Sequence, residues 1–326
     1  MPTLRKACTN CTTSKRKCVV RNPKCVRCSE KNLECVYDLD PLLTPPTKNE
    51  RLLAFGFHPS SHKTLGRCIL RNIQLRAPGC DPTISVPGGK HILDMVRLGF
   101  GTVPELLKRV KPASFVHPKL QISNKINPIA TLVEQGAWGV CSQSFMRLKQ
   151  TDIKMVSATE ALTALQALLV HLAESLFSTC PGEQEQADQS LTLLSDWTQN
   201  LLALVDIGMP QCQSSWQNWL LAESIRRTIF MAYVLNLSVI GYKHGYCPYW
   251  LFTESLPFDA RPGLWMAESP QAWIGAANVT NGDEVGEQLS SYHEFAESFR
   301  GQTIPDFGGD AFLTLVTYAH NGPGGN

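Results

Sequence analysis

Cys8-Thr9-Asn10-Cys11-Thr12-Thr13-Ser14-Lys15-Arg16-Lys17-Cys18 and Cys25-Val26-Arg27-Cys28-Ser29-Glu30-Lys31-Asn32-Leu33-Glu34-Cys35 carry one cysteine pattern twice, C-x2-C-x6-C, with a shift of 17 residues. Half of the 12 cysteines of the 326-residue chain therefore fall in its first 35 positions. Ligand counting decides what six such cysteines do. Zinc takes four ligands in a tetrahedron, and a structural site leaves no position open. One zinc strands two cysteines. Two zincs need eight ligand positions, which six thiolates fill only if two sulfurs are shared. The repeat makes sharing natural, because each half brings three cysteines. A disulfide framework is the competing use, but it requires an oxidising compartment. The first residues, Met1-Pro2-Thr3-Leu4-Arg5-Lys6, hold no apolar stretch of the kind a secretory signal has.

Each C-x2-C suits a short helix starting at its first cysteine, since amides at a helix N-terminus favour thiolate over thiol. Short helices are expected near residues 9–14 and 26–31, with a loop through Arg21, Asn22 and Pro23. Charge is concentrated in the same place. Residues 1–37 hold nine lysines and arginines against Glu30 and Glu34, a net +7, whereas the whole chain carries +2. Two zincs on six thiolates lower the module to about +5. Such a patch attracts phosphates and gives salt-dependent binding to nucleic acid. Basic pairs of this kind also serve nuclear import.

These residues resemble the DNA-binding domain of fungal zinc binuclear cluster transcription factors. All six cysteines fit that family's spacing, and Pro23 matches the proline of its inter-half loop. The resemblance implies two Zn(II) ions held by Cys8, Cys11, Cys18, Cys25, Cys28 and Cys35, with Cys8 and Cys25 bridging. It implies that Lys15 reads a CGG-like triplet of double-stranded DNA in the major groove, with Arg16 and Lys17 as base or phosphate contacts. It also implies a nuclear protein that regulates RNA polymerase II transcription, often of a metabolic or secondary-metabolite pathway, with coactivators or corepressors as partners. One departure is visible: Thr12 stands where the family is often basic.

The rest of the chain divides by its prolines, 13 of 21 of which precede residue 130. Residues 1–38 form the cluster domain, and 39–128 a Pro-rich linker and poorly patterned region. Asp40-Pro41-Leu42-Leu43-Thr44-Pro45-Pro46-Thr47 reads as an extended linker. No sustained heptad follows the cluster, so any homodimer forms without an evident coiled coil. Between 66 and 125 only His91–Leu98 and Glu105–Val110 show periodic pieces.

Residues 129–320 read as an all-α domain. Leu162, Leu165, Leu168, Leu169, Leu172 and Leu176 cover a broad face of a helix running from about 156 to 177, which Pro181-Gly182 ends. Leu191–Val205 repeats the pattern, and Ser215–Ile240 is a third helix or a broken pair. Trp216-x2-Trp219 through Glu223, Arg226, Arg227 and Thr228 resembles a helix of the regulatory domain of these fungal factors, and Leu256-Pro257-Phe258, Leu264-Trp265 and Trp273 continue that likeness. Glu223 with Arg226 or Arg227 sits at helical pair spacing, read as a structural ion pair. Acidic residues interleaved with Tyr292, Phe295 and Phe299 suit either a coactivator contact or an ordinary amphipathic helix, the latter preferred.

The six later cysteines, Cys68, Cys80, Cys141, Cys180, Cys212 and Cys247, lack ligand spacing and are expected to be reduced and mostly buried. Gly99-Phe100-Gly101 begins like a dinucleotide loop, but Pro104 takes the third glycine's place. The apolar run 228–242 is too short for a membrane span. No nucleophile–base set emerges, so no enzyme is expected. The fold expected is a small metal-stabilised zinc binuclear cluster followed by an all-α regulatory domain. The rival reading is a zinc-stabilised protein-interaction module without sequence-specific DNA binding.

Overall fold

A computed structural model describes residues 7–19, 24–35, 65–81, 85–87, 114–122, 125–126, 139–176, 178–210, 212, 214–300, 302 and 305–321. The expected loop through Pro23, the linker 40–47, the pieces 91–98 and 105–110 and the glycines at 99 and 101 lie outside these residues. The chain forms two compact units, Met1–Phe55 and Gly56–Asn326.

The first unit holds two one-turn helices, α1 (Thr9–Thr13) and α2 (Val26–Glu30). Its core is not hydrocarbon but sulfur: Cys8, Cys11, Cys25 and Cys28 are buried, with Cys18, Leu33 and Cys35 against them. So small a unit cannot bury enough apolar surface to hold itself together, and metal must contribute.

The second unit is mostly helical. Three long helices, α5 (Ala158–Leu176), α7 (Leu191–Ile207) and α8 (Ser215–His244), pack against one another. Ser157 and Glu160 start α5 as a capping box: the Ser157 hydroxyl accepts from the Glu160 amide at 3.3 Å, and the Glu160 carboxylate accepts from the Ser157 amide at 2.9 Å. Leu162, Leu165, Leu168, Leu169 and Leu172 are fully buried, as the periodicity predicts. The third helix is unbroken over 30 residues, from a Ser214 cap to Gly245 in the left-handed region at φ 75°.

Several elements escaped the sequence reading. Helix α3 (Leu65–Arg76) packs on α7, although its segment showed no usable pattern. Pro181 does not merely end α5; it opens α6 (Pro181–Gln189), where its missing N–H costs nothing. Helix α4 (Gln143–Leu148) lies on α5. Strands are few and short: β1 (Val86–Pro87) pairs antiparallel with β4 (Tyr246–Cys247), and β2 (Gln121–Ile122) with β3 (Lys125–Ile126). After α9 (Trp250–Glu254), β5 (Pro257–Asp259) pairs antiparallel with β6 (Leu289–Ser291) on either side of α10 (Pro270–Ala277).

Helix α11 (Tyr292–Glu297) and α12 (Ala311–Asn321) close the unit. Tyr292 and Phe295 are buried in a ring cluster with Phe230, Phe258 and Phe312, at centroid separations of 5.0–6.1 Å. The aromatic stripe of this acidic segment is therefore core, as an amphipathic helix requires.

At the centre lies an ion network. The Glu223 carboxylate accepts from Arg227 Nε at 2.8 Å, from Arg226 Nε at 2.9 Å and from the Asp259 amide at 3.1 Å. Arg227 reaches on to Asp310 with both terminal nitrogens at 2.9 Å. Its guanidinium is stacked between Trp265 and Phe312, 4.2 and 4.5 Å from their centroids. Burial works against both arginines' charge, but the carboxylates prevail and hold each guanidinium above its ordinary value. Helical spacing pointed to Arg226 and Arg227 as partners of Glu223, and both pair with it; Asp259 and Asp310 come from far along the chain.

One expectation is corrected. Of the six later cysteines only Cys247 is buried; Cys80, Cys141 and Cys180 are exposed, and Cys68 and Cys212 lie between. They sit on loops and partly covered helix faces, where a thiol's small apolar surface gains little by burial. No helix among the described residues is long and apolar enough to cross a membrane.

Candidate metal centre and nucleic-acid interface

The two halves of the N-terminal unit repeat the same helix cap and closing turn. Cys8 caps α1 and Cys25 caps α2, both with extended backbone. The sulfur of each accepts from the amide three residues on, Cys11 and Cys28, at 3.4 Å. The sulfur thus does what a serine oxygen does at an ordinary N-cap. At the other end Lys15 and Asn32 share a left-handed φ of 49°. The turn is closed by Arg16 N to Cys11 O and Leu33 N to Cys28 O, both 2.9 Å. The Asn10 side chain ties the halves by donating to the Glu34 carbonyl.

This arrangement brings all six sulfurs together. Cys8, Cys11, Cys18 and Cys25 form one set, and Cys8, Cys25, Cys28 and Cys35 another, with the sulfurs of each set within 4.8 Å of one another. Cys8 and Cys25 belong to both. Two sulfurs about 2.3 Å from one tetrahedral zinc stand about 3.8 Å apart. The Cys8–Cys25 and Cys8–Cys28 separations are 3.8 Å, and Cys11–Cys25 is 3.7 Å. The donor set therefore fits zinc in spacing, number and softness. Zinc would neutralise the crowded thiolates and cross-link the two halves. The Cys25 amide donates to the Cys35 sulfur at 3.3 Å, and Arg27 Nη1 lies 4.0 Å from that of Cys11.

Without metal, so many sulfurs cannot all ionise. Burial, set against helpful and unhelpful neighbours, pushes the Cys8 and Cys18 thiols up and Cys28 up to about 12. At Cys25 burial also pulls upward, but hydrogen bonds from Cys28, Cys11 and Cys8 prevail and bring it down to about 6. At neutral pH Cys8, Cys18 and Cys28 thus keep their protons in the metal-free cluster, and zinc must displace them. Apparent zinc affinity is expected to fall steadily from pH 8 to 6, and further below 6 as Cys25 also protonates. Competition with a chelator of known pH dependence measures this; pH-independent affinity would mean the thiols are ionised beforehand.

Lys15, Arg16 and Lys17 are all exposed and follow directly on the α1 terminus. Lys15 holds a backbone conformation that asparagine or glycine adopts more readily. The corresponding second-half residues are Asn32, Leu33 and Glu34, with one fewer cation at each place. Thr12, the departure noted in the sequence, turns its hydroxyl inward to the Cys8 carbonyl at 3.0 Å.

Residues 6–42 match the model of the fungal Zn(2)-Cys(6) binuclear cluster domain. All six cysteines of the N-terminal unit fall within that match. The whole chain is also similar to the transcription factor gsfR2 of Penicillium aethiopicum, at 22% identity over 94% of this chain and 91% of that one. No solved structure matches the chain significantly. The likeness read from the cysteine spacing, to fungal zinc binuclear cluster transcription factors, is supported by both matches. For the zinc cluster, sequence spacing located all six sulfurs and the three exposed cations. It had no means of finding the left-handed turn at Lys15, whose only trace is Asn32 at the repeated position.

Proposed function

We propose that this zinc-cluster protein is a sequence-specific transcription factor of the nucleus. Two Zn(II) ions on the six cysteines hold α1 so that Lys15 reads a CGG-like triplet. Arg16 and Lys17 contact bases or phosphates beside it. Guanine presents O6 and N7 acceptors in the major groove, which suit a lysine donor. The observation that carries this reading is the edge Lys15-Arg16-Lys17, exposed together at the end of a helix fixed by the sulfur cluster. The relative's name, transcription factor, agrees with it. On this reading residues 1–38 bind DNA, 39–128 connect, and 129–320 regulate through coactivators or corepressors. A homodimer would need contacts other than a coiled coil. The zinc-stabilised interaction module remains the rival; it predicts no salt-dependent DNA binding.

Selection of sites from random duplex DNA by the zinc-loaded chain tests the proposal. Enriched CGG triplets support it, and two triplets at fixed spacing would give dimer geometry. Folded, zinc-loaded protein that enriches nothing would sink it. Lys15→Asn isolates the base-reading role, because Asn32 already occupies the same backbone conformation. It is expected to keep its zinc and lose ~1–3 kcal/mol on the selected site. An equal loss on scrambled DNA would reduce Lys15 to a phosphate contact.

A further inference from the structure

A cleft of about 950 Å³ opens in the helical unit between α3, the end of α7, α8 and β6. That is the size of a small-molecule site. Its apolar wall includes Leu65, Val205, Ile207 and Ile225. Ile207, 81% exposed, stands at its rim. The polar wall is more specific. Arg226, only 7% exposed, lines the cleft, and its Nη2 is buried with no hydrogen-bond partner among the described residues. A buried guanidinium nitrogen without an acceptor is costly, and native structures seldom leave one. Arg71, on the exposed face of α3, adds a second cation to the same wall. The acidic groups nearby are already engaged: Glu287 accepts from Arg226 Nη1 at 2.9 Å, and Asp206 from the Gly66 amide at 3.2 Å.

We propose that this cleft binds a small amphipathic organic acid, its carboxylate between Arg226 and Arg71 and its apolar body along Leu65, Val205, Ile207 and Ile225. The carboxylate supplies the acceptor that Arg226 Nη2 lacks, and the apolar body covers Ile207. Because one wall is α3 and the facing wall is α7 and α8, the ligand clamps α3 onto the core. The inference does not depend on the DNA-reading proposal.

Calorimetric titration of the full zinc-loaded chain with decanoate, and with decanol as the uncharged match, tests it. Decanoate is expected to bind saturably at one site, at least about tenfold tighter than decanol. Arg71→Gln, an exposed substitution, should erase most of that difference. Ala222→Phe, which projects a ring into the cleft from α8, should abolish both. Unchanged melting of each variant without ligand establishes that it is folded. No saturable binding of decanoate, equal affinity for decanol, or indifference to both substitutions would each overturn the proposal.

Discussion

Serine at Cys8 or Cys25 is expected to release both metals from the N-terminal unit, whereas serine at Cys11 or Cys28 is expected to leave one. The distinction follows from set membership: Cys8 and Cys25 lie in both four-sulfur groups, and each of the others in one. A shared sulfur removed leaves two three-ligand sites, and a serine hydroxyl is a poor replacement for thiolate. A terminal sulfur removed leaves the other tetrahedron complete. Structural zinc contributes about 10–16 kcal/mol of apparent binding energy to small modules, which is folding energy when no other core exists. Loss of both ions should therefore unfold residues 7–35. Zinc content after dialysis reads the first effect, and limited proteolysis within the first unit the second. The helical unit supplies an internal control, because all seven tryptophans lie at position 138 or beyond and their fluorescence should not change. Two zincs retained by Cys8→Ser, or both lost by Cys11→Ser, would refute the shared-sulfur arrangement.

Glu223→Ala is expected to destabilise the helical unit by about 3–5 kcal/mol, the usual consequence of removing one partner from a buried ion network. Glu223 is fully buried and receives three donors, two of them cationic. Without its carboxylate, Arg227 keeps Asp310 and its two aromatic faces, while among the described residues Arg226 keeps only Glu287, which is 57% exposed. The larger part of the loss should come from Arg226. Glu223→Gln should lose nearly as much, because its amide nitrogen must face a donor. Urea unfolding followed by tryptophan fluorescence measures both, with stability extrapolated to water. A loss below about 1 kcal/mol for the alanine variant would place the network among pairs whose desolvation cancels their attraction.

How far the sequence carried depended on the range of the interactions. The cluster was legible because its determinants are local: six cysteines at fixed offsets, with the helix caps within three residues of them. Helices α5, α7 and α8 were legible because each shows periodic leucines or tryptophans over four turns or more. Helix α3 was not, since only Gly66, Ile69 and Ile73 of its twelve residues are buried, and its exposed positions mix Arg67, Arg71, Gln74 and Arg76 with Leu75. Helix α6 was hidden by Pro181, read as a stop when it is a start. Asp259 and Asp310 could not be assigned to the Glu223–Arg227 network, because they reach it from 36 and 83 residues away in sequence. The same distance hid the cleft, whose walls come from helices that only tertiary folding brings together.

The repeated hydrogen bonds of α1 and α2 give the two halves of the zinc module the same helix and closing turn. Asn32 stands in the second half where Lys15 stands in the first, on the same left-handed turn. Side chains tell the halves apart: Lys15, Arg16 and Lys17 in one, Asn32, Leu33 and Glu34 in the other. On the proposed function, orientation on a duplex is written in these three positions and not in the repeated helix and turn. Asn32→Lys with Glu34→Lys should yield a module with two working edges, able to bridge two separate duplexes at once.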